Sequence, residues 1–106
     1  MKIGMIISSN DPETVWNAFR YGDFALKAGD SVKVFLIGKG VEAESLDSEK
    51  FAINQQMKDF AKAGGAVFAC GTCLKARNAG PTDVCPLAGL KDMHAIIKES
   101  DRVVSF

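Results

Sequence analysis

The stretch KIGMIISSNDPE, residues 2–13, decides the fold. Lys2 to Ser8 is a short run dominated by apolar residues and reads as a buried strand. The residues NDPE then open a helix. Asn10 or Asp11 can cap it, Pro12 suits the first turn because its missing N–H is not needed there, and Glu13 complements the positive helix end. Val15, Phe19, Gly22 and Leu26 follow at helical spacing, and the helix ends near KAGD, residues 27–30. Ser31 to Ile37, SVKVFLI, makes a second strand.

Outward from this strand–helix–strand unit the alternation continues. GKGVEAESLD, residues 38–47, reads as a loop. A second helix is predicted from Ser48 to Gly64, with Ile53, Met57, Phe60, Ala61 and Gly64 along one face. GAVFAC, residues 65–70, is a third strand, and a short helix starts at Thr72 or Cys73. NAGPTDVCP, residues 78–86, is irregular, with a very short strand placed at Asp83 to Cys85. Leu87 to Glu99 is a further helix, with Leu90, Met93 or His94, and Ile97 facing inward. DRVVSF, residues 101–106, is a last strand.

Strands alternating with helices indicate one α/β domain over residues 1–106: a mostly parallel sheet of about five strands with helices on both faces, a flavodoxin-like three-layer sandwich. In such sheets ligands collect at the carboxyl ends of the strands. Ser8 to Asp11, Gly38 to Asp47, Cys70 to Cys73 and residues 78–86 therefore share one edge.

Thirteen basic and thirteen acidic residues balance. That argues against direct nucleic-acid binding and against an anionic membrane surface, which call for a basic face. It also offers little repulsion against self-association. No apolar run approaches the roughly 18 residues of a membrane span. The first residues lack the pattern of a signal peptide. A cytoplasmic location is expected, with reduced thiols, and three cysteines, an odd number, argue against a disulfide framework.

CGTCLKAR, Cys70 to Arg77, carries the chemistry. Cys70 ends a strand and Cys73 falls in the first helical turn, where unpaired backbone N–H groups favour a thiolate. Gly71 leaves the approach open, Thr72 can cap, and Lys75 and Arg77 add positive charge. A second thiol three residues on can resolve a mixed disulfide or accept sulfur. Spacing alone leaves three readings open: reactive thiols, inert packing of two small residues, and a metal site. Metal requires Cys85 and His94 to join Cys70 and Cys73, a set chemically complete for zinc.

CGTCLKAR followed by a Gly-containing loop, an amphipathic helix and DRVVSF resembles the DsrE/DsrF-like family. The opening MKIGMIISSNDPETVWNAFRYGDFALKAGDSVKVFLIGKGV is similar to that family's first βαβ unit, so the resemblance covers essentially the whole chain. The CxxC-x3-R element is its most specific part. The resemblance implies a DsrE-like sandwich that forms homo- or hetero-oligomers. It also implies a sulfur carrier of the relay type, in which a cysteine persulfide is loaded by a donor protein and unloaded by an acceptor protein. In relay members the sulfur-carrying cysteine closes the third strand several residues before an Arg-Gly element, which places Cys70 on it as nucleophile and persulfide site. Cys73 matches the second thiol of a CxxC subgroup and is the expected resolving or accepting thiol. Backbone groups at Gly71 and Thr72, with Arg77 nearby, are expected to stabilise the anionic sulfur. No metal and no organic cofactor is implied. Asn78 and Ala79 stand between Arg77 and Gly80, and Cys85 has no place in the family pattern.

Two other classes stand beside this one. The first is a structural zinc or thiol-metal protein using Cys70, Cys73 and Cys85. The second is a non-catalytic oligomeric binding subunit whose cysteines only pack. The first helix carries Val15, Trp16, Phe19, Tyr21, Phe24 and Leu26, more large apolar side chains than one inward stripe holds. Some are expected to emerge as an oligomer contact, giving a dimer, a trimer or a multiple of these with the cysteine edge near a subunit boundary. Glu42, Glu44, Asp47 and Glu49 read as a solvated acidic loop and helix start.

Overall fold

The computed structural model describes residues 1–106. Five strands, β1 (Lys2–Ile7), β2 (Ser31–Leu36), β3 (Ala66–Cys70), β4 (Leu87–Ala88) and β5 (Arg102–Ser105), form one sheet in the order β4-β3-β2-β1-β5. Every pairing is parallel. The helices are α1 (Pro12–Lys27), α2 (Ile53–Lys62), α3 (Gly71–Ala76) and α4 (Leu90–Glu99), with a 3₁₀ helix over Gly38–Ser45. No helix is long and apolar enough to cross a membrane.

The connections β1–α1–β2 and β2–α2–β3 step the same way along the sheet, so right-handed crossovers put α1 and α2 on one face. The connection from β4 through α4 returns across the whole sheet to β5, and the same handedness puts α4 on the other face. The expected three-layer sandwich follows. Side chains alternate accordingly. Ile3, Met5 and Ile7 of β1, with Val32, Val34 and Leu36 of β2, pack against Val15 and Phe19 of α1 and Ile53, Met57 and Phe60 of α2. Phe35, Cys70, Ala88 and Ile96 form a smaller cluster on the α4 face. The first strand–helix–strand unit has the expected bounds, and Asp11 caps α1 by accepting the Thr14 N–H at 2.9 Å.

Four local expectations are corrected. Residues 38–45 are a 3₁₀ helix rather than a loop. The second helix begins at Ile53 rather than Ser48, because Ser48 folds into a turn that takes the Phe51 N–H. Asp47 accepts from the Asn54 N–H at the start of α2. The short strand is Leu87–Ala88 rather than Asp83–Cys85, since Thr82 and Cys85 close a turn on each other and the chain extends only beyond it.

The fourth correction concerns α4. Ile96 faces the sheet and Met93 is half-buried, whereas Leu90 (67% exposed) and Ile97 (41% exposed) face out. The cause lies on β1. A Cβ at Gly4 would come within 2.6 Å of Ser100 Oγ and 3.0 Å of Ile96 Cγ2. The missing side chain therefore lets α4 and the residue after it seat against β1, and that seating fixes the rotation of α4.

Candidate functional site

Cys70 is the last residue of β3 and the N-cap of α3, with extended backbone. It is 5% exposed and lies in the apolar cluster with Phe35, Ala88 and Ile96. Cys73 is half-buried in the first turn of α3, and its Sγ accepts the Gly38 N–H at 3.2 Å. Burial first, then the hydrogen bond with the Cys73 side chain, holds the Cys70 thiol above its ordinary range. The backbone N–H groups of Cys73 and Thr72 pull the other way, as expected of a helix start, but are outweighed. Cys70 is thus a protonated thiol held in an apolar pocket.

Of the neighbours expected to assist, Thr72 lends its backbone N–H and not its side chain. Thr72 is exposed, and no side chain caps α3. A Cβ at Gly71 would sit 3.1 Å from Leu87 Cδ1, so the space above this glycine is taken by Leu87 of β4 rather than left open for an incoming group. Arg77 turns to the 3₁₀ helix: its Nε donates to Glu42 Oε2 at 2.8 Å, and its Nη1 donates to the Cys73 carbonyl at 3.0 Å. The Arg77 hydrogen bond, with a second from Asn10, holds the Glu42 carboxyl below the usual carboxylate range. Arg77 therefore ties the backbone of the CxxC turn to the 3₁₀ helix.

Sequence reasoning missed the partners in that helix. Glu42 and Glu44 were read as part of a solvated acidic stretch, yet both are half-buried and face the cysteine loops. Glu44 accepts from the Thr82 hydroxyl at 2.7 Å, and that hydroxyl accepts the Cys85 N–H at 3.1 Å. An open cleft of about 380 Å³ lies between these elements, with Val41, Glu42, Glu44, Leu74, Arg77 and Thr82 in its lining. Gly40 and Ala43 are the buried residues of this helix, three apart as in a 3₁₀ turn, with Glu42 and Glu44 half-buried on either side of Ala43.

Cys85 stands apart from the pair. It is 4% exposed and belongs to the larger core on the α1 and α2 side. Burial, reinforced by the charge of Glu44, pushes its thiol far up. His94 is exposed on α4. The four residues that would make a zinc set are not brought together, and no group of three or more His, Cys, Asp or Glu side chains is placed to hold a metal ion.

A five-stranded parallel sheet with helices on both faces places this chain among the small α/β sandwich proteins. This chain belongs to the DsrE/DsrF-like family, whose profile matches residues 1–106. It is 35% identical to an uncharacterised protein of Methanocaldococcus jannaschii, with 100% of both chains covered. It is 33% identical to an uncharacterised protein of Methanopyrus kandleri, covering 89% of this chain and 83% of that one. The crystal structure of the ychN protein from E. coli superposes with a TM-score of 0.84 at 19% identity, with 100% of both chains covered. A conserved protein of unknown function from Bacteroides thetaiotaomicron gives a TM-score of 0.78 at 14% identity, covering 99% of this chain and 94% of that one. The two structural likenesses establish the fold.

Proposed function

We propose that this protein accepts sulfane sulfur and passes it on as a cysteine persulfide, with Cys70 and Cys73 as its working thiols and Cys70 as the storage position. Family membership, in a family associated with sulfur relay, supports this reading. The observation that carries it is the pairing of a buried thiol at the end of β3 with a half-buried one in the first turn of α3, at the carboxyl edge of the sheet. An apolar pocket keeps a stored persulfide from bulk thiols and water, and the outer thiol gives access. The chemistry needs donor and acceptor proteins but no metal and no organic cofactor. On this reading the protein works in the cytoplasm, where thiols stay reduced.

Intact-protein mass spectrometry after incubation with inorganic polysulfide tests the proposal. The wild-type protein is expected to gain the mass of sulfur in a form removed by a reducing agent. Cys85→Ser should load equally, and the double variant Cys70→Ser with Cys73→Ser should not load. Absence of loading in the wild type, or loading confined to Cys85, would overturn the carrier reading in favour of a packing role for the cysteines.

Assembly belongs to the same proposal. Leu90, Ile97 and Val103 leave apolar surface on the α4 side, the side on which the Cys70 pocket lies, while Leu87 (60% exposed) stands on the other face of β4 beside Ala69. Tyr21 and Phe24 stand out on α1, whereas Val15 and Phe19 are in the core and Trp16 packs on Phe51. A homo-oligomer formed through the α4 side, a dimer or trimer or a multiple of these, would cover Leu90 and Ile97 and close the boundary over the cysteine edge. Light scattering after size-exclusion chromatography should give a multiple of the chain mass, reduced to one chain by Leu90→Glu with Ile97→Glu. A wild-type monomer across the micromolar range would sink the assembly claim.

A further inference from the structure

We infer that sulfur enters this protein at Cys73 rather than at Cys70, and that the backbone amide of Gly38 is the donor that steadies the anionic Cys73 sulfur as it attacks. The inference rests on the carrier reading above and assigns the order of events within it.

Access comes first. A thiolate must reach the terminal sulfur of a donor persulfide in line with the bond that breaks. Cys70, at 5% exposure under Phe35, Ala88 and Ile96, offers no such approach without moving α4 or β4. Cys73 is half-buried, the more open residue of the two. The resemblance assigns first attack to the cysteine that closes the third strand; the packing of this chain assigns it to the next thiol along.

Stabilisation comes second. Gly38 N–H donates to Cys73 Sγ at 3.2 Å across two separate elements, the start of the 3₁₀ helix and the first turn of α3. Gly38 has φ +56°, in the left-handed region, and a glycine takes that conformation without steric penalty as the chain turns out of β2. Charged side chains near the pair do not do this work. Arg77, one turn beyond Cys73, is bound to Glu42 and to the Cys73 carbonyl, while Lys39 and Lys75 are exposed. A fixed amide dipole aimed at the sulfur is the same device that stabilises developing anions elsewhere in enzymes.

The steps balance without an oxidant. The Cys73 thiolate attacks the outer sulfur of a donor R–S–SH. The donor S–S bond breaks, R–S⁻ leaves, and Cys73–S–SH forms. Cys70 then attacks the outer sulfur of Cys73–S–SH. The new bond gives Cys70–S–SH, the bond from Cys73 to the outer sulfur breaks, and the proton of the Cys70 thiol passes to the departing Cys73 sulfur. Cys73 is regenerated as a thiol, and the stored sulfur lies in the apolar pocket.

The test uses the full chain with inorganic polysulfide as the sulfur source and peptide-mapped mass spectrometry as the readout. Cys70→Ser is expected to load at Cys73 at close to the wild-type initial rate. Cys73→Ser is expected to load at Cys70 about tenfold more slowly or worse, as the loss of the accessible thiolate demands. In wild-type protein labelled with nitrogen-15, the Gly38 amide resonance should move in step with the pH profile of Cys73 alkylation, and the movement should vanish in Cys73→Ser. Wild-type loading of Cys70 in Cys73→Ser would overturn the entry assignment while leaving the carrier reading intact. A Gly38 resonance indifferent to Cys73 ionisation would overturn the role of the amide. No loading in any form of the protein would overturn both the inference and the reading beneath it.

Discussion

Phe60→Ala is expected to remove about 3–5 kcal/mol of stability, the loss typical of deleting a fully buried aromatic ring from a core. Phe60 has no exposure and meets Phe19 edge-on, with ring centroids 5.6 Å apart and planes at 71°. It is the residue through which α2 reaches α1 over the sheet, and no polar group lies within its cluster to admit a compensating water. Single domains are stable by only about 5–15 kcal/mol, so the variant stands near unfolding at ambient temperature. Chemical denaturation monitored by circular dichroism gives the number, and Phe60→Leu, which keeps most of the volume, should lose far less. A loss below about 1 kcal/mol for the alanine variant would mean that this face collapses around the gap, contrary to the close packing expected of interiors.

Gly40→Ala should be comparably damaging through the opposite fault. A Cβ at Gly40 would lie 2.0 Å from the carbonyl oxygen of Ile7 and 2.8 Å from its carbonyl carbon. The obstacle is backbone at the end of β1, so no rotamer change relieves it, and a cost of about 3 kcal/mol or more is expected, at the upper end for overpacking. The clash would also push the 3₁₀ helix away from β1. The Ile7 carbonyl accepts the Ile37 N–H at 3.0 Å, and the Ile37 carbonyl accepts the Gly40 N–H at 3.0 Å. Gly38 sits between these bonds, so its reach to Cys73 should be disturbed with them. The expected result is a lower denaturation midpoint together with a changed alkylation rate at Cys73. An alanine variant with wild-type stability would show that the 3₁₀ helix is free to shift.

How far the sequence could be read depended on whether the deciding contact was local. The central strand of a parallel sheet is covered on both faces, so β1 shows as a nearly unbroken apolar run. The start of α1 was legible because its cap and its proline are adjacent residues. The CxxC pair was legible as chemistry, and its place at the end of β3 followed from the apolar run before it. The rotation of α4 was not legible, because its outward residues Leu90 and Ile97 have the spacing of an inward stripe and the choice is made by Gly4 on a distant strand. For the same reason the burial of Cys70 could not be read, since it depends on which sheet face α4 covers. Arg77 showed only as a positive charge near the thiols. Its engagement by Glu42 required the 3₁₀ helix, whose residues carry no clear period in the sequence.

The sheet order carries a consequence for the sequence of events in folding. Strand β1 forms at the start of the chain but is flanked on one side by β5, with Ile3 beside Arg102 and Ile6 beside Ser105. The Ser8 N–H is held by the carbonyl of Phe106 and the Asp101 N–H by that of Lys2. Pairing at such separation is entropically expensive and comes late. The unit from β1 through β3 therefore assembles with the outer edge of β1 unpaired, an inviting template for any strand in reach. At high concentration the nearest complementary strand is the β5 of another molecule, delivered on its own α4. Refolding from denaturant thus faces a competition between closing the chain on itself and exchanging the C-terminal helix and strand between two copies, an exchange that preserves every native contact.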